Sequence, residues 1–106
     1  MAWTYLLLAG FCEIVATTLF RYTEGFTRLW PSVASISVGV LSFYLLNRSL
    51  AGVSLGTAYA VWTGIGAAGT ALIGIAMYDE PTSIMRMVCL VMLIAGIIGL
   101  KLFAPA

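Results

Sequence analysis

Hydrophobic residues fill four long stretches of the chain, and short polar segments separate these stretches. The apolar stretches cover residues 3–20, 29–50, 55–77 and 84–103. Each could cross a bilayer as a helix, because a transmembrane helix needs roughly 17–25 predominantly apolar residues. The pattern therefore predicts an all-α membrane protein with four transmembrane helices, in which residues 1–106 form a single four-helix transmembrane domain.

The composition agrees with this pattern. Of 106 residues, 62% are hydrophobic and only 8% are charged, whereas about a quarter of the residues are charged in a typical soluble domain. The first stretch has no basic residue before it and no A-x-A cleavage site after it, so we expect it to remain in the mature protein. The four spans take up almost the whole sequence, so any function is expected to lie within the membrane.

Several function classes are disfavoured by what the sequence contains. The net charge is +1 and there is no histidine, so we expect no nucleic-acid partner and no metal site. The two cysteines, Cys12 and Cys89, fall within predicted spans, where they suit packing better than a disulfide. There is no recognisable pairing of a nucleophile with a base and no phosphate-binding loop, so we expect neither an enzyme nor a cofactor.

Basic residues are almost evenly divided between the two predicted sides of the membrane. Arg21, Arg28 and Arg86 lie on one side, and Arg48 and Lys101 lie on the other. An excess of Lys and Arg normally marks the cytoplasmic side. This weak bias is compatible with one orientation set by the first loop. It is also compatible with insertion both ways, which would permit an antiparallel dual-topology homodimer.

One carboxylate, Glu13, lies near the middle of the first span. A charged residue at the centre of a transmembrane helix costs about 2.5–3.5 kcal/mol on insertion scales, and no Lys, Arg or His lies at a comparable depth to pair with it. We therefore predict that Glu13 holds either a proton or a positively charged substrate. Gly10 and Thr17 share its helix face and leave room beside it, although small residues also serve helix packing.

The third span supplies aromatic and polar candidates for the same site. Tyr59, Trp62 and Thr63 fall on one stripe of this helix, and aromatic ring faces attract cations by about 0.5–2 kcal/mol. The alternative is that the rings of Tyr59 and Trp62 serve helix packing and do not contact a cation. Ser42 in the second span is a candidate hydrogen-bond donor to the carboxylate, although a membrane serine often bonds its own helix backbone.

Small residues suggest where helices approach closely. Gly64, Gly66 and Gly69 in the third span are predicted to serve as a hinge or as packing positions. In the fourth span, Ala95 and Gly99 form a small-xxx-small pair that is typical of helix association, and we assign them to dimer packing. A dimer would bring together two copies of Glu13 and eight helices.

Three sequence segments resemble the small multidrug resistance family: "CEIVATTLF" around Glu13, "EGFTRLWPS" over residues 24–32 and "GTAYAVWTGIG" over residues 56–66. The resemblance covers all four spans. It implies a proton-coupled antiporter of the inner (plasma) membrane that exports small organic cations by alternating access as an antiparallel homodimer. It also implies that Glu13 is the shared proton and substrate site, lined by Tyr59 and Trp62.

The resemblance points to two branches of that family. The guanidinium-exporting branch typically has Trp three residues after the central Glu, whereas this chain has Ala16, as in the quaternary-ammonium and multidrug branch. Other features resemble the guanidinium branch: Ser42, "WTGIGA", Glu80 with Pro81, and "GIIGLK" ending at Lys101. Because a small residue beside the acid widens the site, we predict quaternary ammonium and hydrophobic cationic drugs as substrates, with guanidinium as the alternative. A non-transporting membrane assembly protein is a more remote alternative.

Overall fold

The structure is a computed structural model that describes residues 1–103. Four helices account for most of this range: α1 (Ala2–Phe20), α2 (Leu29–Ser49), α3 (Leu55–Met77) and α4 (Ile84–Leu102). A single 3₁₀ turn, Arg21–Thr23, follows α1. All four helices are long and apolar enough to cross a membrane, which confirms the predicted all-helical class. The predicted and observed ends differ by no more than one residue.

Serine hydroxyls join α1 to α2. Ser35 and Ser42 lie two turns apart on α2 and are buried, and their hydroxyls donate to main-chain carbonyls of α1. The acceptors are Ala16 at 3.0 Å and Ala9 at 2.7 Å. Residues seven apart share one helix face, so the two bonds repeat the same contact along one antiparallel seam. Interhelical hydrogen bonds of this kind contribute about 0.6 kcal/mol each on average in membrane proteins.

Glycines bring α1 against α3. A Cβ built on Gly10 of α1 would lie 2.7 Å from the Ile65 side chain of α3, and one on Gly69 of α3 would overlap the side chain of Ile14. Since neither helix could come this close with a larger residue, the glycines set the spacing of this pair. The apolar core continues from here towards the α2–α3 turn, around Leu6 and Val61.

Helix α4 is attached differently. Its backbone approaches that of α3 and of no other helix among residues 1–103. The Lys101 ammonium lies 5.0 Å from the centroid of the Trp3 ring of α1, and Leu90 is the one buried residue of α4. Gly64 of α3 receives the side chain of Ile97 at this contact. The remaining α4 surface is apolar and exposed, which leaves a membrane helix with most of its side chains facing outwards from the subunit.

The subunit as a whole is thin. Its Cα atoms extend over 43 × 35 × 16 Å, so the shortest dimension is less than half of either of the other two. A layer this thin leaves grooves between its helices open on a broad face. The interior site expected from the sequence must therefore be sought in such a groove.

Two connections carry unusual backbone geometry. In the first loop, Glu24, Gly25 and Phe26 all have positive φ angles, of 48°, 74° and 65°, which reverses the chain within a few residues. In the third loop, Asp79 has φ of 52°. This turn folds the chain back so that the Glu80 N–H donates to the Gly74 carbonyl at 3.2 Å.

Candidate functional site

Glu13 lies midway along α1 and is half-buried in the crevice between α2 and α3. A Cβ on Gly66 would come within 2.9 Å of Glu13 Cγ, so the glycine makes room for the acidic side chain. The Thr17 hydroxyl donates to Glu13 Oε1 at 3.4 Å, one turn along the same helix. No other hydrogen bond to this carboxylate occurs within residues 1–103, so most of its acceptor capacity faces open space.

Two recesses meet at Glu13. The α3-side recess has a volume of about 380 Å³ and lies between α1 and α3. Its lining consists of small, polar and aromatic residues with a second acid at one end: Glu13, Thr17, Trp62, Thr63, Gly66, Ala67, Thr70, Ala71 and Glu80. A recess of this size and polarity is suitable for a small organic cation.

The α2-side recess also has a volume of about 380 Å³ and opens between α1 and α2. It is lined by the acid, small residues and two phenylalanines: Glu13, Ala16, Thr17, Phe20, Ser35, Gly39 and Phe43. Ala16 and Gly39 add little volume, so space remains on this side of the carboxylate as well. The aromatic faces of Phe20 and Phe43 would contact a bulky or hydrophobic guest.

Trp62 is held by a chain of hydrogen bonds. Its indole Nε1–H donates to Ser42 Oγ at 2.8 Å, and the Ser42 hydroxyl donates in turn to the Ala9 carbonyl at 2.7 Å. Trp62 and Ser42 are both buried. The bond that we expected from Ser42 to the carboxylate is therefore not formed, because the Ser42 proton is used on α1. Ser42 instead fixes the ring beside the acid.

The aromatic residues form a tilted stack next to the site. The Trp62 ring centroid lies 5.7 Å from that of Tyr59 and 5.1 Å from that of Phe43, within the range of favourable aromatic pairs. Because the Trp62 N–H is already donated to Ser42, this ring offers a guest mainly its face. Tyr59 is 55% exposed and lines neither recess, so it contacts Trp62 but is not part of the recess lining.

Of the other residues predicted for the site, some line the α3-side recess and some make contacts between helices. Thr17 and Thr63 line the α3-side recess, and the Thr63 hydroxyl donates to the Tyr59 carbonyl of its own helix at 2.8 Å. Gly10 lies under Ile65 and lines neither recess. Gly64 and Gly69 make the helix contacts described above, and α3 runs as one continuous helix through them. A hinge at these glycines stays a prediction.

Sequence reasoning missed Thr70 and Glu80. Thr70 Oγ1 is buried and has no hydrogen-bond partner among the residues that the structure describes, which costs a hydroxyl about 1–3 kcal/mol. The spacing Thr63, Gly66, Thr70 along α3 was a usable signal, because these residues share a helix face. Glu80 carried no such signal, since it reaches the recess from a loop whose path depends on the left-handed Asp79.

The Glu80 end of the α3-side recess is surrounded by charged and aromatic side chains. Glu80 Oε1 accepts from Arg86 Nη2 at 3.0 Å, and the Arg21 guanidinium lies 3.9 Å above the ring of Tyr78. The hydroxyls of Tyr22 and Tyr78 are hydrogen-bonded to each other. This bond raises the pKa of Tyr78 above its usual value, as do desolvation and the nearby Tyr22, while Arg21 opposes the rise.

A groove of about 510 Å³ runs along α4 between Thr82 and Met92. Its walls are methionine, isoleucine and valine, with Thr82 and Ser83 at one end and no charged residue. Ala95 lies exposed further along this helix, and a Cβ on Gly99 would meet nothing within 4 Å. Such a surface suits helix packing better than recognition of a cation. Over residues 1–103 no group of three metal-ligating side chains occurs.

Comparison with known proteins gives a consistent picture. A family model described as Small Multidrug Resistance protein matches residues 1–94. Among curated proteins, a protein of Proteus vulgaris named guanidinium exporter is 49% identical over 102 residues, which cover 96% of this chain and 98% of the relative. A guanidinium exporter of Salmonella typhimurium strain LT2 is 47% identical over 98% of this chain and 99% of its own length. One of Citrobacter freundii is 47% identical over 96% and 97%.

Proposed function

The chain belongs to the small multidrug resistance family, and we propose that it exports guanidinium-type cations in exchange for protons, with Glu13 as the shared binding site. It is a multi-pass protein of the inner membrane, and it belongs among transporters rather than enzymes. The observation that carries the substrate proposal is the half-buried carboxylate of Glu13 in a polar recess, considered with the guanidinium exporters that match the chain over nearly its full length.

The relatives favour the alternative substrate rather than the one predicted first. We had expected quaternary ammonium and hydrophobic drugs because Ala16 replaces a tryptophan of the guanidinium branch. The similar proteins are nevertheless named guanidinium exporters, at 47–49% identity. For the choice of substrate, Ala16 alone therefore carries less weight than the match to guanidinium exporters along the rest of the chain.

The geometry suits a small planar cation. A guanidinium ion donates N–H bonds from its edges and stacks its flat faces on aromatic rings. The free acceptor capacity of Glu13 would receive the N–H groups, and the fixed face of Trp62 would lie alongside. Proton and cation would compete for one carboxylate, because a protonated acid offers no charge to a cation. Competition of this kind couples entry of one to release of the other.

The thin subunit supports the proposal of an antiparallel homodimer. Both recesses open onto a face of one layer, so a second layer is needed to close the site from the membrane. The apolar surface of α4, including Ala95 and Gly99, is available for that contact. The three-to-two distribution of basic residues permits either orientation of each copy. Oppositely oriented copies would exchange conformations to give alternating access.

Transport by reconstituted protein tests the proposal. Purified protein in liposomes with an imposed pH gradient should accumulate guanidinium, and Glu13→Gln should abolish the exchange because the side chain can neither ionise nor hold a cation. Glu13→Asp should retain exchange with a shifted pH dependence. Glu24→Gln, which removes an acid of the first loop, should behave as wild type. Exchange that survives in Glu13→Gln would contradict the proposal.

A second candidate, export of bulky hydrophobic cations, rests on the α2-side recess. Its Ala16 wall leaves space next to Glu13, and Phe43 supplies an apolar face. Under this alternative, Ala16→Trp should weaken tetraphenylphosphonium binding by about tenfold or more while affecting guanidinium much less, because the added ring fills the recess. A competition experiment between the two cations on wild type and variant measures this directly. Equal effects on both cations would argue against this candidate.

The remote alternative, a non-transporting assembly protein, makes a different prediction. In that case Glu13→Gln would leave the protein's behaviour unchanged, and the chain would be recovered from membranes with a larger partner in fixed stoichiometry. The polar lining around Glu13 favours transport, since a purely structural helix would not retain an acid at this depth.

A further inference from the structure

The α3-side recess contains a second carboxylate, Glu80, at the end away from the Trp62 ring. Glu80 belongs to the third loop and lines the same recess as Glu13. Its main-chain N–H is bonded to the Gly74 carbonyl at 3.2 Å, which fixes the loop against the last turn of α3. The carboxyl group lies directly over Gly74, where any Cβ would collide with it. The acid is therefore positioned by the fold and does not simply extend from a free loop.

Thr70 lines the same recess as the two acids, Glu13 and Glu80. Its hydroxyl oxygen is buried without a hydrogen-bond partner among the described residues. Thr70 also lines a smaller cavity of about 90 Å³ that extends from the recess towards Arg21 and Tyr78, with Glu80 shared by both. A buried hydroxyl is normally paired, so an unpaired one that borders two cavities has hydrogen-bonding capacity left for a guest.

The electrostatics of this end favour a cation. Glu80 lies at the C-terminal end of α3, where the helix dipole is negative and unpaired carbonyls accumulate. An acid here is repelled by the helix end unless positive charge is nearby. Arg86 supplies part of it through its contact with Oε1 of Glu80, whereas the Arg21 guanidinium is stacked on Tyr78. Glu80 Oε2 has no hydrogen-bond partner within residues 1–103 and remains available.

We infer that Glu80 and Thr70 form an outer cation site, which an N–H-bearing organic cation of the guanidinium class occupies on its way to or from Glu13. The inference rests on the proposed transport function and names further residues of the same path. Glu80 attracts the cation and accepts N–H bonds through Oε2. Thr70 accepts a further N–H bond through its otherwise unpaired hydroxyl. Arg86 competes with the cation for Glu80, so the ion pair limits how tightly the outer site holds its guest.

Guanidinium flux into proteoliposomes at a fixed pH gradient tests this role. A charge at the entrance of a path changes the association rate and its salt dependence more than the final affinity. We therefore expect Glu80→Gln to lower kcat/KM about three- to fivefold near 10 mM salt, while kcat stays within about twofold of wild type. The deficit should shrink near 150 mM salt, where the Debye length falls to about 8 Å.

Two matched variants separate this role from general effects of the loop. Asp79→Asn removes the neighbouring charge, and Asn tolerates the positive φ at that position. Asp79 lies outside the recess lining, so its variant should lose less kcat/KM than Glu80→Gln. Arg86→Gln breaks the same ion pair as Glu80→Gln but leaves the carboxylate free, so it should raise kcat/KM at low salt. Thermal unfolding of each variant checks that the fold is retained.

Thr70→Val removes the unpaired hydroxyl with almost no change of shape. We expect kcat/KM for guanidinium to fall about twofold to threefold, because one N–H acceptor is lost. Thr27→Val is the matched control, since the Thr27 hydroxyl already donates to the Glu24 carbonyl at 2.7 Å and Thr27 lines neither recess nor the smaller cavity. Its transport should be unchanged.

Two outcomes with an active wild type would overturn the inference. One is a Glu80→Gln protein that loses no more kcat/KM than Asp79→Asn. The other is an equal loss of activity in Glu80→Gln and Arg86→Gln, because equal losses would reduce Glu80 to an ion-pair partner. A wild-type protein that moves no guanidinium would overturn the proposed function before any variant is compared, and the outer site would fall with it. The two failures are thus distinguished by the wild-type measurement.

Discussion

Helices α1 to α3 and helix α4 are all apolar spans of one chain, but they differ in how much of their surface is packed within it. The first three helices contact one another through buried serines, glycines and the Trp62 ring. Helix α4 packs mainly against α3, reaches α1 through Lys101 over the Trp3 ring, and buries little more than Leu90 within the described residues. The difference indicates that the carboxylate and its aromatic neighbours are arranged within one chain, whereas most of the α4 surface stays exposed and is available for the proposed assembly.

The contact between α1 and α3 is the most sensitive part of this arrangement. Gly66→Val would place new atoms on Glu13, because even a Cβ comes within 2.9 Å of its Cγ. We expect the loss of nearly all cation exchange and a destabilisation of about 1–3 kcal/mol, as is usual for overpacked interiors. Transport in liposomes and thermal unfolding measure the two effects.

Gly56→Val is the matched control for this substitution. Gly56 lies in the first turn of the same helix, and a Cβ there meets nothing within 4 Å. The control should retain both transport and stability. If Gly66→Val were as active as Gly56→Val, the close contact between α1 and α3 would not position the acid.

A bulky residue on α4 should have a different effect. Gly99→Leu adds a side chain where the subunit has no neighbour within 4 Å, so the fold of one subunit should be unaffected. If this surface holds two copies together, we expect their dissociation constant to rise about tenfold, equivalent to about 1.4 kcal/mol. Cross-linking in liposomes at decreasing protein-to-lipid ratio measures the change.

Val40→Leu provides the comparison for Gly99→Leu. Val40 is 63% exposed on α2, and an extra methylene there should be neutral. A normal dimer in Gly99→Leu would remove α4 from the assembly surface and would leave its exposure to be explained by contact with lipid.

The serine seam offers a smaller and more local test. Ser42→Ala removes the donor to Ala9 and the acceptor for Trp62, whereas Ser35→Ala removes only the bond to Ala16. Each interhelical bond is worth about 0.6 kcal/mol, up to about 1.7. Ser42→Ala should therefore lose about twice the modest stability that Ser35→Ala loses.

Only Ser42→Ala should also weaken guanidinium binding, because the Trp62 ring loses its fixed orientation. Binding followed by Trp fluorescence, with Ser35→Ala as the control, separates the two effects. Equal binding by both variants would show that the ring needs no such support.

The fold could be predicted from the sequence almost completely, because four separated apolar stretches of this length have few alternatives. Within the site, helical spacing correctly placed Thr17, Trp62 and Thr63 beside Glu13. Ser42 was expected to donate to the acid but donates to Ala9, since a periodic pattern gives the face of a residue and not its hydrogen-bond partner. The roles of these residues in binding stay predictions.

Other parts of the site depend on tertiary structure. Gly10 shares a face with Glu13, yet the contact with Ile65 removes it from the recess. Glu80 approaches from a loop whose direction is set by one left-handed residue, Asp79, and no periodicity describes such a turn. Substrate preference was missed for a related reason. The preference was inferred mainly from Ala16, whereas the substrate depends on the shape of both recesses and is also indicated by the relatives that match the full length of the chain.

The smallest expected effect concerns the ends of α1 and α3, where Tyr22 and Tyr78 are hydrogen-bonded through their hydroxyls. Tyr22→Phe removes this bond, so the pKa of Tyr78 should fall back towards its usual value near 10. Titration of carbon-13-labelled tyrosine rings by NMR measures the shift. Because the pKa is raised in the folded protein, the associated stability is present below the unfolded pKa and is lost as pH rises through the folded value. Tyr22→Phe should therefore reduce the difference in stability between neutral pH and pH above about 10. An unchanged Tyr78 titration would show that the hydroxyl contact does not tie these helix ends together, which would leave the Arg21–Tyr78 contact to join them.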